Sequence, residues 1–579
     1  MSTRMSEMIN GEEAAALGAL QAGVGFVTGY PGSPSKDVFE ALQRFARSSP
    51  INDAPVPVRC EWAANEKVAL EMALGATLGG VPSLMCMKSV GMNVALDAVM
   101  CINQSGCPSP LVILLGDDPG AWQSQNEQDT RWLSLMSELP LLEPNTVADA
   151  APVTRYAFEL SAREKLPVIV RIIRTFAHVE DEVVLDGMSS LTAGYGSGNG
   201  DVYSVSQGSL TASLHSALRE KNERIAQEWE GLSFNEVTND DCESGVIAVG
   251  FGYYELQEAI AALAGVDKSF SVLKLTSSHP LPVKTITEFL EGRSGVAILE
   301  ENEPVVEMQV RALAQARGIA SPIFGKLDGS IPRGGELTPR RIGRVLSRIT
   351  VLDDEVVENL PDPVREPGAG RFCDGCPYPP FYDALKEICE ELGLTYTAGS
   401  DPGCSVLALF DPYEFLSIKH SMGSSVNILR GLASADPERR CIAIVGDSDL
   451  YHSALPGIVN AVHSGANMTV IVFDNSGAAY TGCQPHPGMS IRAAEGNGEA
   501  FHARASSVTM ERVLEAAGVA GLWIESSKNG EALRAIFREA LTGEGVKVVV
   551  VREPCPFAPI VMADGTVVEP SKEGKIVGE

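Results

Sequence analysis

The stretch RCIAIVGDSDLYHSALPGIVNAVHSGANMTVIVFDNSG, residues 440–477, decides the fold. Two short β-branched apolar runs, CIAIV and MTVIVF, flank a helix-like segment, the pattern of a strand–helix–strand unit with parallel strands. The first run ends in Gly446-Asp447-Ser448 and the second leads to Asn475. In a parallel sheet both ends fall on the carboxyl edge, where α/β folds bind ligands. Hard oxygen donors such as these suit Mg²⁺, and the ion in turn holds a diphosphate.

The same alternation extends through the chain in three regions. Residues 1–185 carry the β-rich runs GVGFVTGY, PSLMCMK, PLVILLGDD and LPVIVRII between helical stretches. Residues 186–355 begin with a Ser/Gly-rich and then charged linker (YGSGNGDVYSVSQGS, ALREKNERIAQEWEG) and continue as further βα units. A Pro- and acid-rich connector, LDDEVVENLPDPVREPGAGR, leads into the third region, residues 365–579. The expected fold class is α/β, with three doubly wound parallel-sheet domains in series.

At 579 residues the chain is too long for one core. Its formal net charge of −30 argues against nucleic-acid binding, which needs basic surface to displace counterions. No stretch approaches the ~20 apolar residues that span a bilayer, and MSTRMSEMINGEEAAALGAL lacks a signal-peptide apolar core. A cytoplasmic location is therefore expected, with its twelve cysteines reduced.

The 440–477 stretch resembles the thiamine-diphosphate motif. That resemblance assigns Gly446, Asp447, Ser448, Asn475 and Gly477 to the cofactor, with the Asp447 and Asn475 side chains and the Gly477 carbonyl as Mg²⁺ ligands. Five further blocks, VTGYPGSPS (27–35), EWAANEKVALE (61–71), MKSVGMNVALD (87–97), GDDPGAWQSQNEQD (116–129) and TGCQPHPG (481–488), resemble the 2-oxoacid:ferredoxin oxidoreductases, most nearly the indolepyruvate large subunit. The resemblance makes the first region pyrimidine-binding, the second transketolase C-terminal-like and the third diphosphate-binding.

It also gives Glu66 the role of the buried carboxyl that activates the aminopyrimidine, with Glu61 and Glu71 as nearby alternatives. Tyr30, Pro31 and Gly32 fall at the cofactor, Ser33 at the substrate carboxylate or the cofactor, and Lys88 at the substrate or facing solvent. Relatives more often carry His at the positions of Ser89 and Cys483, and Arg174 and His178 only partly match the family's basic segment. The implied partners are a smaller β- or γ-type subunit, a 2-oxoacid, CoA, and ferredoxin or another electron-accepting subunit, in a dimer of heterodimers. Non-oxidative decarboxylation and a non-catalytic scaffold are the alternative functions.

The electrons of an oxidative decarboxylation need an acceptor. No C-x₂-C-x₂-C-x₃-C-P run of the two-cluster ferredoxin type occurs in these 579 residues. The one Cys-x-x-Cys, RFCDGCPYPP (371–380), supplies Cys373 and Cys376; Cys404 follows 28 residues later and Cys555 a further 151. On residue type alone, a cluster, a Cys₄ zinc site, a redox pair and buried apolar thiols all remain open. Two-subunit members of the superfamily have four cysteines so spaced, and the resemblance implies one [4Fe–4S] cluster on Cys373, Cys376, Cys404 and Cys555.

Overall fold

The computed structural model describes residues 5–47, 56–122, 124–185, 203–205, 208–263, 269–362, 370–489, 508–558, 560–561 and 567–568. The chain divides into two compact units, Met1–Glu61 with Glu66–Arg365, and Trp62–Asn65 with Glu366–Glu579.

The first unit contains two main sheets, beside an antiparallel ribbon of Met5–Asn10 with Glu180–Leu185. The larger runs, edge to edge, Ser277–His279, Leu141–Leu142, Val168–Ile173, Leu111–Asp117, Ser83–Lys88, Phe26–Gly29 and Arg59–Trp62. Its central strands pair in parallel and are fully buried, as the continuous apolar runs require when helices cover both faces. Asn10 and Thr146 start two of the covering helices, Gly11–Gln21 and Val147–Glu164, by accepting from the backbone N–H three residues on. The smaller sheet is ordered Ile323–Phe324, Gly295–Leu299, Ser244–Val249, Ser271–Leu275, Glu236–Thr238.

Buried charge joins the two main sheets of this unit. Arg131 binds Asp129 at 2.6 Å and Glu300 at 2.7 Å, while Arg171 binds Asp117 at 2.8 Å, Asn302 at 2.8 Å and Glu143. Burial alone would raise the Asp129 carboxyl, but the two guanidiniums overcome it and hold it below its ordinary value. Removing one member of such a network leaves an uncompensated buried charge, at a cost of about 3–5 kcal/mol.

The charged stretch expected as linker contains a helix, Ser209–Trp229. Its buried residues Leu218, Ile225 and Trp229 fall on one face, and Trp229 donates to the Tyr156 hydroxyl at 2.9 Å. Residues 186–202 lie outside the described residues.

The second unit has one six-stranded sheet, parallel throughout: Ile418–Lys419, Tyr396–Ser400, Arg440–Gly446, Met468–Asp474, Val546–Arg552, Gly521–Glu525. The helices Tyr378–Glu391 and Gly530–Thr542 cover one face, where Phe381, Tyr382 and Phe537 are fully buried. Tyr378 stacks on Phe473 with ring centroids 3.8 Å apart. Because these strands are parallel, Asp401, Asp447, Asn475 and the segment leading to Cys555 leave the sheet at one edge.

Candidate functional site

In the second unit, the Asp447 carboxylate is the organising group. It accepts from the backbone N–H of Ser448 (2.7 Å), Asn475 (3.2 Å) and Gly477 (3.0 Å), so both strand ends are tied to it. The Asn475 side-chain oxygen is buried with no hydrogen-bond partner. Such an orphaned oxygen costs about 1–3 kcal/mol, a cost that a bound cation removes. Gly477 sits at φ +145°, and a Cβ there would lie 3.0 Å from the Cα of Cys483, so the turn accepts no side chain. Asp447, Asn475 and the Gly477 carbonyl are oxygen donors of the type Mg²⁺ takes, and the residues fit that ion.

Three further groups surround Asp447 that the motif does not announce. His486 places Nε2 3.2 Å from Asp447 Oδ2, and its ring stacks on Tyr451. Burial opposes charge on this imidazole, but the Asp447 carboxylate outweighs it and raises the pKa. Asp449 is buried, and burial, then Asp401 and then Asp447, push its carboxyl well up, since three close carboxylates resist joint ionisation. Asp449 also explains Gly446, where a Cβ would lie 2.6 Å from the Asp449 carboxylate. Asp401 accepts from the Ser425 N–H at 2.8 Å, at the start of helix Ser424–Ala435.

In the first unit, Glu66 is 5% exposed and opens the helix Glu66–Leu78, where the helix dipole favours a carboxylate. Gly91 makes room for it: a Cβ at Gly91 would come within 2.6 Å of the Glu66 Cγ. Tyr30, Pro31, Gly32 and Ser33 follow the carboxyl end of strand Phe26–Gly29, and Lys88 ends the adjacent parallel strand Ser83–Lys88. Gly32 backs onto Lys88, where its Cβ would lie 2.9 Å from that of the lysine. Lys88 Nζ is 3.8 Å from Asp118 Oδ2. Burial lowers the Lys88 ammonium to about 8, with Arg174 adding to the effect and Asp118 opposing it. Arg174 lies over the Trp122 ring at 5.0 Å. Ser89 is buried behind Lys88, and His178 is exposed.

The four cysteines belong to the second unit. Cys376 N–H donates to the Cys373 carbonyl at 3.1 Å in the turn before helix Tyr378–Glu391. Burial pushes the Cys376 thiol up to about 11, and the neighbouring Cys373 and Cys555 thiols add to this. Cys376 and Cys404 pack against the aromatic core that contains Tyr378. Cys404 and Cys555 pack on a small buried patch of Ala479, Cys483 and Ala558. Among the described residues, no three His, Cys, Asp or Glu side chains form a group able to hold a single metal ion.

Two protein families match the chain, one in each unit. The family described as "Thiamine pyrophosphate enzyme, C-terminal TPP binding domain" matches residues 401–551. The family described as "Pyruvate flavodoxin/ferredoxin oxidoreductase, thiamine diP-bdg" matches residues 17–190. Fold and matches together define a protein of the thiamine-diphosphate oxidoreductase class. The indolepyruvate oxidoreductase subunit IorA of Methanothermobacter marburgensis is 33% identical over 553 residues, covering 94% of this chain and 86% of the relative. The subunits of the same name from Archaeoglobus fulgidus and Pyrococcus abyssi are each 32% identical, over 94% and 95% of this chain and 86% and 85% of the relatives. The chain belongs to this indolepyruvate oxidoreductase subunit family, within the 2-oxoacid:ferredoxin oxidoreductase superfamily. Among the described residues, no helix is long and apolar enough to cross a membrane.

Proposed function

We propose that the chain is the thiamine-diphosphate-binding subunit of a complex that oxidatively decarboxylates an aryl- or alkylpyruvate to the acyl-CoA. Cys373, Cys376, Cys404 and Cys555 would hold one [4Fe–4S] cluster, which would supply the electron path to ferredoxin or a partner subunit. The observation that carries the reading is a single hydrogen bond: the Cys555 N–H donates to the Asn475 carbonyl at 2.9 Å. One of the four cysteines is thus bonded directly to a residue of the metal–diphosphate set. A cluster distributes its thiolates over four irons, so their spread around Tyr378 and Ala479 suits it better than convergence on one ion.

In this reading each residue has a defined task. Asp447, Asn475 and the Gly477 carbonyl hold Mg²⁺ and through it the diphosphate, with Gly446 and Ser448 shaping the turn. Residues 1–185 form the pyrimidine-binding domain, 186–355 the linker and middle domain, and 365–579 the diphosphate-binding domain. Tyr30, Pro31 and Gly32 line the pyrimidine side, and Glu66 exchanges a proton with the aminopyrimidine. Bound thiamine diphosphate supplies a carbon nucleophile and an electron sink for the loss of CO₂. Lys88 and Ser33 hold the carboxylate of the incoming 2-oxoacid. A smaller subunit completes the complex, as a dimer of heterodimers.

Replacing Asn475 by Ala is expected to weaken Mg²⁺–thiamine diphosphate binding about 10- to 100-fold, or about 1.5–3 kcal/mol for a bond to a charged group. Calorimetric titration with both components checks this. The Lys88 role makes a pH prediction. A base whose pKa lies at about 8 loses its charge as pH rises through that value. KM for the 2-oxoacid is then expected to climb roughly tenfold one pH unit above it. In Lys88→Arg, which stays charged, the KM–pH profile should be flat over that range. The function itself is tested by anaerobic purification with the partner subunit, followed by iron and sulfide analysis. Brown, iron-containing protein supports the reading, and colourless, iron-free protein overturns it.

A further inference from the structure

A fifth cysteine stands between the two cofactor sets. Cys483 is 5% exposed, and its backbone lies in the left-handed region at φ +62°, a conformation held at a cost by a residue other than glycine. Its N–H donates to the Ala478 carbonyl at 2.9 Å, and Ala478 and Gln484 form a bridge that folds the loop back on itself. On one side, the Gly477 turn rests on the Cys483 backbone, with no room for a Cβ. On the other, Cys404 and Cys555 pack on the patch that Cys483 forms with Ala479 and Ala558. Within that patch the Cys483 side chain lies beside two alanines and against the cysteines Cys404 and Cys555, and a thiol is a weak S–H donor.

We infer that Cys483 is a positioning residue that sets the reduction potential of the cluster on Cys373, Cys376, Cys404 and Cys555, an inference that rests on the proposed cluster. Hydrogen bonds to cluster sulfurs and exclusion of water set the potential of an iron–sulfur centre. A reduced cluster carries one more negative charge, and a nearby S–H with a polarisable sulfur stabilises it, which raises the potential. Cys483 itself stays a thiol throughout: the electron enters the cluster from oxidation of the 2-oxoacid and leaves to the acceptor.

The test is a redox titration of the anaerobically purified complex, followed by electron paramagnetic resonance, with iron content measured on each sample. C483A removes the donor, and C483S keeps a donor in nearly the same volume. With iron at the wild-type level, C483A is expected to shift to a more negative midpoint potential and C483S to remain at or above wild type. Unchanged potentials in both variants, with iron retained, overturn the inference while leaving the cluster in place. Loss of iron from both variants makes Cys483 a structural support and also overturns it. An iron-free wild type removes the cluster reading and this inference together.

Discussion

Cys373→Ala is expected to reduce viologen reduction to background while thiamine diphosphate binds as in the wild type. The two sites are separable because Cys373 lies in the turn before helix Tyr378–Glu391, whereas Asp447 and Asn475 leave strands Arg440–Gly446 and Met468–Asp474. In the proposed cluster, losing one thiolate of four would open it and remove the first electron acceptor. Anaerobic dye assays beside calorimetric titration of thiamine diphosphate check both halves. Loss of thiamine binding would mean that Cys373 supports the fold of the second unit, and retained dye reduction would remove it from the electron path.

Glu66→Gln is the second large effect, with kcat expected to fall about 10²- to 10⁴-fold, the range of a lost general acid–base group. Gln keeps the volume that Gly91 leaves open and the contact with helix Ser89–Ser105, so folding is preserved. What it lacks is the carboxyl that, in the proposed role, takes and returns a proton. The specific readout is exchange of the thiazolium carbon-bound proton in deuterated buffer, followed by nuclear magnetic resonance. Exchange should slow together with kcat. Exchange at the wild-type rate would contradict the role and move the search to another carboxyl.

The parallel strand–helix–strand unit was legible because its residues are contiguous. Strand ends at Gly446 and Asp474 place Asp447 and Asn475 on one sheet edge without any knowledge of the rest of the chain. Asp401 was not legible: it follows YTAGS, a run too polar to stand out as a strand, which becomes one by pairing with Arg440–Gly446. His486 belonged to a quoted block, but only the folded loop sets its ring 3.2 Å from Asp447. Asp449 carried the faint signal of a second acid two residues after the first. The charged run after residue 215 hid a helix, although Leu218, Ile225 and Trp229 recur at helical spacing among the charges. Arg171 shows a different limit. A charge inside VIVRII announces a buried partner, but its partners Asp117, Glu143 and Asn302 come from three distant segments.

The most direct test of the central claim is an anaerobic assay of the chain purified with its partner subunit. It follows CO₂ release and viologen reduction together over a panel of 2-oxoacids with CoA. Coupled CO₂ release and dye reduction, dependent on thiamine diphosphate and Mg²⁺, is the predicted result. Release of CO₂ with no dye reduction would contradict it and leave a non-oxidative decarboxylase.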